Sequence, residues 1–217
     1  VQQPHPPISI PVTSSQESLD WAAARGIPIT PGAATMGLRE DVVRYFAGAL
    51  AQHGRKLTPD LMWIPSLTYI ADSKAQAVRE YAPYHLYFNR TLYSHGNFTE
   101  TSLQAKAGYV SDKSKEYVRD ENLKAYARSR EDFRKMTFED VEKAAQNMPW
   151  GTADEVTSRL IAQANRLGSD TFLLSLNRGV MPHDMYMAQI RRFAKEVLPA
   201  LQAHVVAPQA EASLVAG

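Results

Sequence analysis

The sequence predicts an α/β fold built on parallel strands. Short apolar runs with strand character fall at residues 8–12, 27–30, 61–65 and 171–176. Each is followed by apolar residues at helical spacing. Strand–helix units in succession require crossover helices, and crossover helices join parallel strands. Four such units fit an open four-stranded sheet. They fit equally well half of a (β/α)8 barrel, a fold of about 250 residues. Periodicity does not choose between the two.

The first unit is the best marked. Pro6 and Pro7 stop any helix upstream. Ile8, Ile10 and Val12 alternate, with Pro11 a weak point because it has no N–H for a ladder. Ser14 and Glu17 have the spacing of a capping box at the start of a helix that ends at Gly26. A helix N-terminus after a parallel strand presents free N–H groups and the positive end of the helix dipole, which accept a phosphate. Ser14, Ser15 and Ser18 add three hydroxyls within one turn. Those hydroxyls serve equally well as simple caps, and spacing alone leaves both roles open.

The second strand, 27–30, leads into the small-residue loop 31–37. Leu38, Val42, Tyr45, Phe46, Ala49 and Leu50 then mark a helix ending near Gly54. The third strand, 61–65, precedes a helix capped by Asp72 and carrying Ala75, Val78, Ala82 and Leu86. Residues 87–148 break the rhythm with loops and charge-rich helical patterns. They read as a helical insertion before the last βα unit, either a lid over one end of the domain or a solvated decoration. Thr152 and Glu155 form a second capping-box spacing. Val156, Leu160, Ala164 and Leu167 make the next helix face, and Gly168 ends it. After the fourth strand, residues 177–183 form a loop. Met185, Ala188, Phe193, Val197 and Leu201 mark the last helix. The domain is expected over 1–203, with residues 204–217 a flexible tail.

Composition narrows the function. A formal net charge of +1 gives no footprint for nucleic acid or an anionic membrane surface. With no cysteine there is neither disulfide nor thiolate metal site. No apolar run approaches the ~18 residues of a membrane span. The first residues lack a basic n-region and an apolar h-region, so the expected location is cytoplasmic. No Walker-type glycine loop or Ser-His-Asp order is visible. His95 has no spaced partner, so no metal is expected.

Several segments together resemble the bacterial luciferase-like flavin-dependent monooxygenase family. Pro4-His5-Pro6-Pro7-Ile8, Ser14-Ser15 and Trp21-Ala22-Ala23-Ala24-Arg25-Gly26 look like the middle of that family. Ala107-Gly108-Tyr109-Val110-Ser111 is similar to a Pro-Gly-Tyr-Leu-Ser segment of several members. Gly151-Thr152-Ala153-Asp154-Glu155-Val156 resembles the opening of the family's seventh barrel helix. Leu173-Leu174-Ser175-Leu176-Asn177, with Gly179 and Pro182-His183, resembles its eighth strand and turn. Phe193-Ala194-Lys195-Glu196-Val197-Leu198-Pro199-Ala200-Leu201 resembles its closing helix.

The resemblance implies a (β/α)8 barrel of which this chain holds the C-terminal half, strands five to eight. Strands one to four would come from an N-terminal half-barrel chain, or a homo-oligomer would form instead. It implies reduced FMN supplied by a separate reductase, or coenzyme F420 in some branches, and monooxygenation of an organic substrate with O2. A non-catalytic flavin-binding or self-associating half-barrel protein is the alternative. By position, Ser14, Ser15 and Ser18 would contact the flavin phosphate. No catalytic residue is assigned.

Asn177, Arg178 and His183 follow a strand at the end where such barrels place their chemistry. Arg178 offers a cation to a flavin oxygen or an anionic substrate, or is a surface arginine. His183 sits at a helix start, where capping or exposure explains it too. Thr30 and Met36 follow the second strand and would line the same mouth. His85 lies among Tyr81, Tyr84, Tyr87 and Phe88, as an aromatic wall or as helix packing. Trp21 and Trp63 are expected in the core.

Overall fold

A computed structural model describes residues 3–12, 15–31, 40–93 and 131–206. The chain opens with β1 (Ile10–Val12), α1 (Gln16–Arg25), β2 (Ile29–Pro31) and α2 (Glu40–Gln52). A 3₁₀ turn (Pro59–Leu61) leads to β3 (Trp63–Leu67), β4 (Tyr69–Ile70) and α3 (Lys74–Tyr87), which runs into a π-helical segment (Phe88–Tyr93). Then come α4 (Phe138–Ala145), β5 (Trp150–Gly151), α5 (Ala153–Leu167) and β6 (Thr171–Ser175). The chain closes with α6 (His183–Arg192), a second π-helical segment (Phe193–Val197) and α7 (Leu198–Ala203). These elements form two compact units, Tyr69–Ala153 with Leu176–Phe193 making one and the rest the other.

The first unit carries four of the six strands, all paired in parallel. β1 pairs with β2, Ile10 opposite Ile29, and β3 pairs with β6 from Trp63–Thr171 to Leu67–Ser175. A single parallel bridge, Ile29 to Met62, links the two pairs. Pro11 is tolerated because the Ile10 N–H donates to Pro28 O (2.9 Å), so the missing N–H of the next residue falls on the side away from β2. The four anticipated strands are present with shifted ends, and β4 and β5 are two short additions that apolar runs did not signal.

The core of this unit is Leu19, Ala22, Ala23, Ile29, Phe46, Leu50, Met62 and Ile64, all essentially inaccessible, with Val12 and Leu167 beside them. Leu19, Ala22 and Ala23 stand at i, i+3 and i+4, so α1 lays one stripe inward. Trp21 lies off that stripe and is 46% exposed, contrary to its expected place in the core. The Arg25 guanidinium stacks on its ring at 4.3 Å. Gly26 closes α1 in the left-handed conformation (φ 63°), which glycine adopts without steric cost. Tyr45 on α2 donates to the Asp20 carboxylate on α1 at 3.0 Å. His204 hydrogen-bonds Asn165 on α5 at 2.8 Å, whereas 207–217 of the expected tail lies outside the described residues.

In the second unit β4 pairs in parallel with β5, Tyr69 opposite Trp150. Tyr69 and Ala71 give their N–H groups to Pro149 O and Gly151 O. Ile70 therefore turns its own N–H and C=O the other way. The buried amide of Gln189 on α6 meets both, accepting from Ile70 N at 2.7 Å and donating to Ile70 O at 2.9 Å. One side chain thus replaces a neighbouring strand. α3 is capped by Ser73, which accepts from the Gln76 N–H, rather than by Asp72. α4 has a complete capping box between Thr137 and Asp140. Residues 94–130, most of the expected insertion, lie outside the described residues, so the lid reading rests on the sequence alone. The single helix expected at the end is broken into α6, the π segment and α7, with Pro199 in the first turn of α7, where a missing N–H is harmless.

Among the described residues no helix is long and apolar enough to cross a membrane, and no group of His, Cys, Asp or Glu could hold a metal ion.

Replacing Gln189 with Ala leaves both polar groups of Ile70 buried and unpaired. The expected loss is on the order of 2–4 kcal/mol, given about 1–3 kcal/mol for each unsatisfied buried group after partial relaxation. Urea unfolding of the Gln189→Ala variant measures it, and an unchanged midpoint would show that the amide does not support β4.

Candidate functional site

Two places combine polar chemistry with a fixed backbone. The first is the N-terminus of α1, immediately after a parallel strand. Ser15 is the N-cap and its Oγ accepts from the Ser18 N–H at 3.3 Å. The Ser18 hydroxyl meets the Ser15 hydroxyl at 3.1 Å. The cap therefore stands one residue later than the Ser14–Glu17 spacing predicted, with Glu17 in the first turn. Both serines are half-buried, so their hydroxyls are reachable. The first N–H groups of any helix lack intrahelical partners, so this end offers hydroxyl and amide donors in one turn.

The second place lies on α3 and its π continuation. Tyr81, His85 and Asn89 are 0%, 2% and 1% exposed and recur every four residues, which puts them on one helical face. Tyr69 stacks on Tyr81 at 4.8 Å, and Trp150 meets Tyr81 and His85 edge-on at 4.8 and 5.5 Å. Asn89 Nδ2 sits 2.9 Å from His85 Nε2 and 3.5 Å from the Met136 sulfur. The amide nitrogen donates to the Met136 sulfur; its role towards His85 Nε2 depends on the ring tautomer. Among the described residues, Tyr81 Oη, His85 Nδ1 and Asn89 Oδ1 have no hydrogen-bond partner. Burial pulls the His85 pKa down to about 4, with the Arg178 charge adding to the effect. Burial raises the Tyr81 pKa, and Arg178 partly opposes it. Arg178 lies with its guanidinium carbon 3.6 Å from the Phe88 ring centre.

The sequence of residues 1–171 matches the family described as luciferase-like monooxygenase. The chain belongs to the luciferase-like monooxygenase family. Solved structures agree on the fold. The oxygenating constituent of 3,6-diketocamphane monooxygenase from the CAM plasmid of Pseudomonas putida, a type II Baeyer–Villiger monooxygenase in complex with FMN, superposes with a TM-score of 0.59 at 16% identity, over 93% of this chain and 50% of that one. The monooxygenase RslO1 from Streptomyces bottropensis superposes with a TM-score of 0.55 at 17% identity, over 91% of this chain and 49% of that one. This chain thus spans about half the length of each structure. No curated protein sequence is a significant match.

The site residues expected of this luciferase-like chain are distributed as follows. Ser15 and Ser18 come together at α1, whereas Ser14 lies outside the described residues, as does Met36. Thr30 is buried, 3.2 Å from the Ser9 hydroxyl. Asn177 and Arg178 are half-buried in the loop after β6, and His183 is the exposed first residue of α6 with no side-chain cap ahead of it. Sequence reading overlooked Asn89 as the partner of His85. The four-residue spacing of Tyr81, His85 and Asn89 was the available signal. Trp63 is half-buried, and Trp150 takes the core position instead.

His85 makes stability depend on pH. It is neutral in the fold, with a pKa near 4 against an ordinary 6.5. Between these values the unfolded chain binds the extra proton, so stability is complete above about 6.5 and falls as pH drops towards 4, by on the order of 3 kcal/mol. Urea midpoints compared at neutral and mildly acid pH should show this fall in the native protein and a smaller one in His85→Gln.

Proposed function

We propose that this chain supplies the phosphate anchor and part of the barrel of a flavin-dependent monooxygenase. Its cofactor would be reduced FMN and its co-substrate O2. The observation that carries the reading is the α1 N-terminus, where Ser15 and Ser18 present converging hydroxyls after a parallel strand. Its donor set fits a phosphate, because hydroxyl and amide N–H groups donate while the helix dipole favours negative charge. The FMN-bound relative lends weight to the choice of flavin.

Bound reduced flavin would supply the electrons that activate oxygen. The chain's own part is to bind and orient. Ser15 would turn its hydroxyl proton to a phosphate oxygen while its remaining lone pair continues to cap Ser18 N–H. Ser18 would donate in the same way. The apolar packing of Leu19, Ala22 and Ala23 holds α1 rigid behind these donors, so little order has to be created on binding. Arg178, Asn177 and His183 are the residues proposed to meet the substrate or the flavin ring edge, because they follow the carboxyl end of β6.

The same reading includes further strands. β6 is partly exposed along its whole length, with Leu173 at 41%. In a closed barrel such a strand is paired on both sides and packed on both faces. The complement would be an N-terminal half-barrel or a second copy of this chain.

Titration of the assembly in which the chain purifies, with FMN and with riboflavin, tests the anchor. FMN should bind more tightly, and Ser18→Ala should weaken FMN by about tenfold or more while leaving riboflavin unchanged, since a hydrogen bond to a charged group contributes about 1.5–3 kcal/mol. Ser18 is the cleaner position, because Ser15→Ala also removes a helix cap at about 1 kcal/mol. Equal binding of the two flavins would reject the phosphate role. Native mass spectrometry should give a species heavier than the 24.2 kDa chain, and a stable monomer would reject the complement.

A further inference from the structure

Asn89 joins two segments of the second unit. It stands on the π continuation of α3, 1% exposed, and its amide nitrogen donates to the Met136 sulfur at 3.5 Å. The same nitrogen lies 2.9 Å from Nε2 of His85, one turn earlier on α3. Next to Asn89, Arg90 donates from Nε to the Met136 carbonyl at 2.6 Å. Met136 is the residue just ahead of Thr137, the cap of α4. An apolar residue in that place fixes the angle at which the chain enters a helix. Met136 packs against the cluster that buries Val141 and Ala145 of α4 together with Ala77, Val78, Tyr81 and Ala82 of α3. One buried amide thus helps to set where α4 begins.

That amide responds to the charge on the ring. A neutral imidazole has one nitrogen free to accept, and a protonated one has none, because both nitrogens then donate. An amide nitrogen donates only. A protonated Nε2 therefore opposes Asn89 Nδ2 in the orientation observed. The remedy lies on the same side chain, because Asn89 Oδ1 has no partner among the described residues. Turning the amide over brings Oδ1 to the Nε2 proton and takes Nδ2 away from the sulfur.

We propose that His85, Asn89 and Met136 form a proton-operated latch, closed over a neutral ring, whose opening on protonation frees Met136 and the start of α4 from α3. The groups around His85 set its resting state. Trp150 of β5 meets the ring edge-on and carries no charge. Tyr81, one turn back on α3, is kept un-ionised by burial. Arg178, from the loop after β6, acts on the ring as a like charge. Burial and that charge both favour the neutral ring, so the latch rests closed at neutral pH. The latched ring titrates near 4, and a released one approaches the ordinary 6.5. Opening is therefore favoured progressively below the ordinary value, by at most roughly 300-fold once the latched ring too is protonated. The device goes beyond the flavin reading and does not depend on it, because its readout needs no flavin.

The test takes the full chain from neutral pH down to the value at which His85 is protonated. NMR follows the His85 ring nitrogens, the Asn89 side-chain amide and the Met136 methyl, while hydrogen exchange follows the backbone. The three side-chain signals should move with one midpoint. Below it the amides of α4 should exchange faster by about tenfold or more, ahead of those of α3. His85→Gln places an acceptor beside Asn89 that takes up no proton, so α4 should stay protected throughout. Met136→Leu keeps the bulk and removes the acceptor, so α4 should exchange faster already at neutral pH. A Met136 methyl that ignores the His85 titration, equal loss of protection across α3 and α4, or a full acid response retained in His85→Gln would each overturn the latch. The measurement on the native chain needs no variant, so a substitution that fails to fold leaves the decision intact.

Discussion

Parallel pairing is the constraint on which the first unit depends. Parallel strands cannot be joined by tight turns, so the chain must travel the length of the sheet between them. That requirement places α1 between β1 and β2 and α2 between β2 and β3. It also puts the amino end of α1 directly after the carboxyl end of a strand. The hydroxyl-rich turn at Ser15 and Ser18 is a by-product of that route. Anion chemistry at such a turn follows from backbone geometry first and from side chains second. Side chains then tune it, and small residues such as Ala22 and Ala23 let the helix sit close behind.

The second unit solves a different problem. Its strands β4 and β5 are two residues each, too short to make a sheet that stands on its pairing alone. Stability comes from side chains that take backbone roles. Gln189 completes Ile70, and the Lys74 ammonium donates to the carbonyls of Met148 and Trp150 at 3.1 and 2.7 Å. The stacked Tyr69, Tyr81 and Trp150 supply the apolar mass around them. Within this aromatic packing a neutral His85 and its partner Asn89 are held buried. Each unsatisfied buried group in such surroundings calls for its own explanation, a bound water, a ligand or local strain.

Membership of the luciferase-like monooxygenase family joins these two observations without fixing the chemistry of this chain. The solved relatives share its fold at under a fifth identity, and each is about twice as long as the part aligned. Fold hosts many reactions, so the reaction must be argued from residues. In the proposed reading the converging serines bear on the cofactor, and the residues after β6 bear on what it meets. Among the described residues β6 pairs with β3 alone and is partly exposed along its length, and in the proposed reading its other edge is where a further strand would add.

The sequence by itself determined the α/β class, the four longer strands and the family. Each of these depends on local signals: alternation at Ile8, Ile10 and Val12, glycine stops at Gly26 and Gly168, and ordered motifs such as Gly151–Val156. Propensity and spacing act over a few residues, and they survive in any context. Only tertiary structure decided the rest. Trp21 faces outward because its place on α1 lies off the stripe set by Leu19, Ala22 and Ala23, while Trp150 occupies the interior. β4 and β5 exist because partners 81 residues apart pair there, and no local pattern encodes them. Gln189 becomes a strand substitute only when α6 meets Ile70, and His85 loses its ordinary basicity only when Trp150 and Tyr81 close around it. Burial and long-range pairing depend on which surfaces meet, and one chain position carries no record of its distant neighbours.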